Sequence, residues 1–84
     1  MGICDEGQPI KLVFDCISYG KNEINTGDEL KLKSALNKLS KIINVPTSDM
    51  IQVLYNYELL DINRTVKELG LPNGAVITVK FRNE

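Results

Sequence analysis

"LYNYELLDINRTVKELGLPNGAVITVKF", residues Leu54 to Phe81, decides how the chain is read. An apolar strand enters a polar turn at Asn56 to Glu58, and Leu59 and Leu60 then make a small extra strand. Val66, Leu69 and Leu71 are spaced for a single helical turn that ends at Gly70, where a helix C-terminus favours glycine. Pro72-Asn73-Gly74 forms a tight turn, and Ile77, Val79 and Phe81 form the inner face of a closing strand. In the strand that leads into this stretch, Ile51, Val53 and Tyr55 alternate with Gln52 and Leu54. "MIQVLY" holds neither Gly nor Pro to signal a bulge. Alternation therefore turns Ile51, Val53 and Tyr55 inward and Gln52 and Leu54 outward, and it sends Thr78 and Lys80 outward from the closing strand.

Upstream, the period begins at two and then changes. Ile10, Leu12, Phe14 and Cys16 share one face of a half-buried strand, with Lys11, Val13, Asp15 and Ile17 on the other. Cys16 reads as the last small core residue of that strand, since neither His nor a basic cluster flanks it to activate a thiol. "SYGKN", residues Ser18 to Asn22, supplies a hairpin turn, and a weaker strand over Glu23 to Thr26 returns antiparallel. Leu32, Ala35, Leu36, Leu39, Ile42 and Ile43 then mark one face of an α-helix near residues 30–43. Thr26 with Glu29 has the spacing of a capping box, and Asn44 and Pro46 stop the helix. Lys31, Lys33, Lys38 and Lys41 read as its solvated flanks. "MGICDEGQP", residues 1–9, shows no periodicity and is expected to be a flexible tail, leaving one domain over residues 10–82. The order is strand, strand, helix, strand, short strand, helical turn, strand. One helix is expected across one face of a mixed sheet of four or five strands, an α+β architecture in which the first and last strands pair in parallel at the centre.

Composition narrows function by exclusion. Eighty-four residues with 43% apolar and 25% charged side chains suit one globular domain with a small margin of stability. Ten basic against eleven acidic residues give a net charge of −1, so no strong field invites nucleic acid or an acidic membrane. No run approaches ~20 apolar residues, no signal-peptide pattern opens the chain, and Glu6 stands where a myristoylation start wants Ser or Thr. Two cysteines and no histidine cannot make a closed zinc site or a Cys-His couple, and no glycine-rich phosphate loop is present. No catalytic residue, metal or cofactor is expected; the domain reads as a binding module rather than an enzyme.

The element order, with "LLDINRTVKELGLPNGAVITV" and "LNKLSKIINVP", resembles ubiquitin and its β-grasp relatives over about Ile10 to Arg82. Leu60, Asp61, Arg64, Thr65 and Val66 match that family in type and spacing. Within it, "LYNYELLDINRTVKELGL" looks most like the N-terminal ubiquitin-like domain of the DNA-damage-inducible proteasome-shuttle proteins, which carry a retroviral-type aspartic protease domain further along the chain. "LNKLSKIINVPTSDM" is more weakly similar to the ubiquitin-like domain of tubulin-folding cofactors.

The resemblance implies a non-covalent interaction domain of a larger cytoplasmic or nuclear protein. It would recruit ubiquitin, a ubiquitin receptor or a proteasome subunit, with assembly docking of the tubulin-cofactor kind as the alternative. A covalent modifier would need a Gly-Gly tail, and "VKFRNE" has none. Leu54 matches the central isoleucine of ubiquitin's hydrophobic patch, so Leu54, Thr78 and Lys80, with Gln52 beside them and Tyr57 in the adjoining turn, are the candidate partner-binding residues. Lys80 departs from the family's patch valine and makes this surface smaller and more basic. Arg64 is expected to pair with Asp61 or cap nearby carbonyls rather than bind a partner. The isolated domain is expected to be monomeric, binding neither nucleic acid nor membrane.

Overall fold

The computed structural model describes residues 7–82. Strand β1 (Pro9–Cys16) turns at residues 17–19 into β2 (Gly20–Gly27), and helix α1 spans Leu32–Ile43. A single 3-10 turn (Thr47–Asp49) leads into β3 (Met50–Tyr55), followed by β4 (Glu58–Leu59), the short helix α2 (Val66–Leu69) and β5 (Ala75–Phe81). The sheet runs β2-β1-β5-β3-β4. Strands β1 and β5 pair in parallel and the other neighbours are antiparallel. This is the expected α+β arrangement, with the two most apolar strands side by side at the centre of the sheet and their inner faces under α1.

Alternation on β1 and β5 holds throughout. Ile10, Leu12, Phe14 and Cys16 are buried, as are Ala75, Ile77, Val79 and Phe81, and they meet Leu32, Ala35, Leu36 and Leu39 of α1 in one core. Leu71 is buried in the same core, with Leu60 and Leu69 packed against it. Ile42 departs from the expected apolar stripe: at 59% exposure it lies beyond the sheet's cover. Residues 1–6 of the expected tail lie outside the described residues. Pro9 already pairs with Gly27 in the sheet, and Gln8 N–H donates to Asp28 Oδ1 at 2.8 Å, so order begins before Ile10. Strand β2 likewise starts at Gly20 rather than Glu23.

Three local expectations are corrected. In β3 the register shifts between Met50 and Gln52. This bulge turns Met50 into the core and leaves Ile51 53% exposed, so Ile51 does not join Val53 on the inner face. Leu60 lies past the end of β4, because the turn takes only Asn56 and Tyr57 and pairs Tyr55 with Glu58. Thr26 is no helix cap either. It sits in β2, only 5% exposed, and its Oγ1 has no hydrogen-bond partner among the described residues.

The real cap of α1 comes from the long connection between β4 and β5. Leu32 N–H donates to the Arg64 carbonyl and Lys33 N–H to the Ile62 carbonyl, both at 3.0 Å. These two bonds satisfy amides that a helix start would otherwise leave orphaned. In return, Val66 N–H donates to the Leu30 carbonyl at 3.0 Å and Lys67 N–H to the Asp28 carbonyl at 2.9 Å. Thr65 locks the connection with its own capping box: Glu68 N–H donates to Thr65 Oγ1 (3.1 Å) and Thr65 N–H to Glu68 Oε1 (3.0 Å). Gly70, at φ 70°, ends α2 in the left-handed conformation. At the other side of the sheet, Lys38 Nζ reaches the Asn25 carbonyl of edge strand β2 at 2.7 Å, a lysine on an otherwise open edge.

Candidate functional site

Cross-strand register builds the outward face row by row. Leu54 stands opposite Leu59 on one side and Thr78 on the other, and Thr78 stands opposite Asp15. Gln52 stands opposite Lys80. Residues directly opposite share a face, so Gln52, Leu54, Thr78 and Lys80 come together on the side away from α1, where the alternation beyond the bulge puts them. Leu54 and Thr78 are half-buried, and Gln52 and Lys80 are exposed.

Tyr57 completes the group at the tip of the β3–β4 hairpin. Its φ is 66° and that of Asn56 is 53°, the paired positive values of a two-residue type I′ turn. The side chain is fully exposed. Leu54, Asn56, Tyr57, Thr78 and Lys80 line one shallow hollow of about 360 Å³. Four of the five candidate residues therefore share a concavity, with Gln52 beside it.

The sequence reading missed Asn56 and Leu59. Leu59 is 65% exposed opposite Leu54, which widens the apolar surface at the sheet's edge. A three-residue turn puts Leu59 out of that register; recognising Asn56-Tyr57 as the whole turn would have placed it. Val13 and Val76 form a second outward pair nearby, with Val76 exposed.

Arg64 Nε lies 3.8 Å from Asp61 Oδ2 with both side chains exposed, a pair worth little to stability. Arg82 Nε lies 3.4 Å from Asp49 Oδ1, and its guanidinium also donates to the Ser48 carbonyl. Lys80 forms no ion pair among the described residues. Among those residues, no group of three His, Cys, Asp or Glu side chains is placed to hold a metal ion, and no helix is long and apolar enough to cross a membrane. Cys16 is buried, as its strand position requires, and Cys4 lies outside the described residues. The face offers a half-buried leucine, an exposed tyrosine and a lysine around one hollow.

No protein-family model and no curated protein matches the chain. Solved structures do match. A ubiquitin from Caldiarchaeum subterraneum is similar at a TM-score of 0.79 and 16% identity, over 89% of this chain and 95% of that one. The ubiquitin-like domain of an Arabidopsis thaliana protein is similar at a TM-score of 0.77 and 20% identity, over 89% of this chain and 79% of that one. A de novo design based on ubiquitin gives a TM-score of 0.77 at 17% identity, over 90% and 92% of the two chains. The fold is the ubiquitin-like β-grasp.

Proposed function

We propose that the chain is a non-covalent ubiquitin-like interaction domain of a larger protein, acting as a shuttle-type targeting module. It recruits ubiquitin, a ubiquitin receptor or a proteasome subunit through the outward face of its sheet. One observation carries this reading: Leu54, an apolar residue on the solvent side of a strand, forms part of a hollow with Tyr57, Thr78 and Lys80. A monomeric domain has no folding reason to place a fully exposed tyrosine beside such a leucine, and apolar and aromatic anchors of this kind carry most of the affinity in small interfaces. The resemblance of residues 54–71 to the DNA-damage-inducible proteasome-shuttle domains supports the choice of partner and a cytoplasmic or nuclear setting. The domain works by binding alone, without catalysis or cofactor.

The test is an NMR titration with ubiquitin, and separately with a proteasomal receptor fragment, for wild type and Leu54→Ala. Leu54 is half-buried against Leu59, so its truncation should cost about 1 kcal/mol of stability and leave the domain folded. Binding should weaken by about 5- to 30-fold. Unchanged affinity in the folded variant would refute the reading.

A further inference from the structure

Tyr57 is in the wrong place for stability. The second position of a type I′ turn belongs to glycine, because a side chain there crowds the backbone at positive φ, and a bulky residue is an outlier. Burial does not compensate, since the ring is fully exposed. The same backbone conformation nevertheless leaves Tyr57 lining the hollow together with Lys80 and Leu54. Strain kept at an exposed aromatic points to use.

The chemistry of the hollow says what use. Its lining residues are a leucine, a tyrosine, a lysine, an asparagine and a threonine, with no carboxylate among them; Asp15 lies one strand farther on, beyond Thr78. Lys80 has no ion-pair partner among the described residues, so its charge is free to meet an anion. A single cation on a chain of net charge −1 cannot track a nucleic-acid backbone or an anionic bilayer, which need rows of them. It suits one carboxylate set beside an apolar side chain.

Resting on the reading that this face receives a protein, we propose that Tyr57 and Lys80 select the partner. The hollow takes an apolar side chain against Leu54, and a Glu or Asp of the same segment meets the Lys80 ammonium and the Tyr57 hydroxyl. Tyr57 is a specificity residue retained against the preference of its turn.

The test uses two amphipathic helical peptides of about 16 residues, long enough to hold a helix. One carries a leucine stripe flanked by glutamates, and its twin carries glutamines in their place. Titrated into the domain, the glutamate peptide should shift the amides of residues 54–57 and 78–80 and bind about fivefold more tightly than its twin, a modest gain in keeping with an exposed ion pair. Lys80→Glu should abolish or invert that preference. Tyr57→Gly should raise the melting temperature while weakening the glutamate peptide, a combination that a purely structural tyrosine cannot give. Equal affinity for the two peptides, absence of shifts with both, or a Tyr57→Gly variant that is destabilised would overturn the proposal. Binding of ubiquitin or the receptor fragment to this face with affinity indifferent to Lys80→Glu would overturn it while leaving the proposed function intact.

Discussion

Replacing Thr65 with Ala should loosen the start of α1, a helix that precedes it by a whole strand and hairpin. The Thr65 hydroxyl accepts from Glu68 N–H at 3.1 Å, and the Glu68 carboxylate accepts from Thr65 N–H at 3.0 Å. Losing an N-cap of this kind costs ~1 kcal/mol, within a range of about 0.5–2. Helix α2 has only four residues and cannot sustain itself without its cap. The carbonyls of Ile62 and Arg64 just before it accept from the first amides of α1, so the damage should spread there. Native-state hydrogen exchange reads this directly. About 1 kcal/mol corresponds to roughly fivefold faster exchange, which should appear at Leu32, Lys33, Val66 and Lys67. Thr65→Ser keeps the hydroxyl and should restore most of the protection. If Thr65→Ala speeds exchange evenly across the sheet, or leaves Leu32 and Lys33 unchanged, the connection does not clamp the helix.

Four further substitutions probe the core and its margin. Leu39→Ala, at a fully buried site on α1, should cost ~2–5 kcal/mol and unfold much of a domain this small; a melting temperature within a degree or two of the parent would contradict the helix register. The β3 bulge predicts that Met50→Ala costs at least ~2 kcal/mol while Ile51→Ala stays within about 0.5, and urea titration showing the reverse order would restore simple alternation. Thr26→Val exchanges an unpartnered buried hydroxyl for a methyl group of similar shape and should stabilise the fold by about 1 kcal/mol. That is ~4–8 °C in melting temperature for a domain of this size; a lower one would mean the hydroxyl is satisfied.

What the sequence disclosed follows from which forces are local. The inner faces of β1 and β5 and the stripe on α1 were readable because burial repeats with the period of each element. Gly70 and the Val66–Leu69 turn before it were readable because a helix end has its own residue chemistry. The β3 bulge was not, since "MIQVLY" holds neither Gly nor Pro to mark the shift, and Met50 and Ile51 are equally acceptable in a core. The α1 cap was hidden for a different reason. Its acceptors are backbone carbonyls of residues 62 and 64, which have no side-chain signature, whereas Thr26 and Glu29 carry a suggestive spacing with no geometry behind it. On the candidate site, alternation placed Gln52, Leu54, Thr78 and Lys80 on one face because the first two lie past the bulge and β5 alternates throughout. Leu59 and Asn56 escaped because the two-residue turn lacks the glycine that usually announces one.

The central claim is that this domain meets its partner with the outward side of its sheet. A chemical-shift map of the labelled domain against ubiquitin, and against a proteasomal receptor fragment, tests it most directly. Shifts produced by at least one of the two should cluster on Gln52 to Tyr57 and Thr78 to Lys80, while the exposed side of α1 stays silent. Shifts confined to Lys33, Asn37 and Lys41 of that helix, or no shifts with either protein, would contradict it.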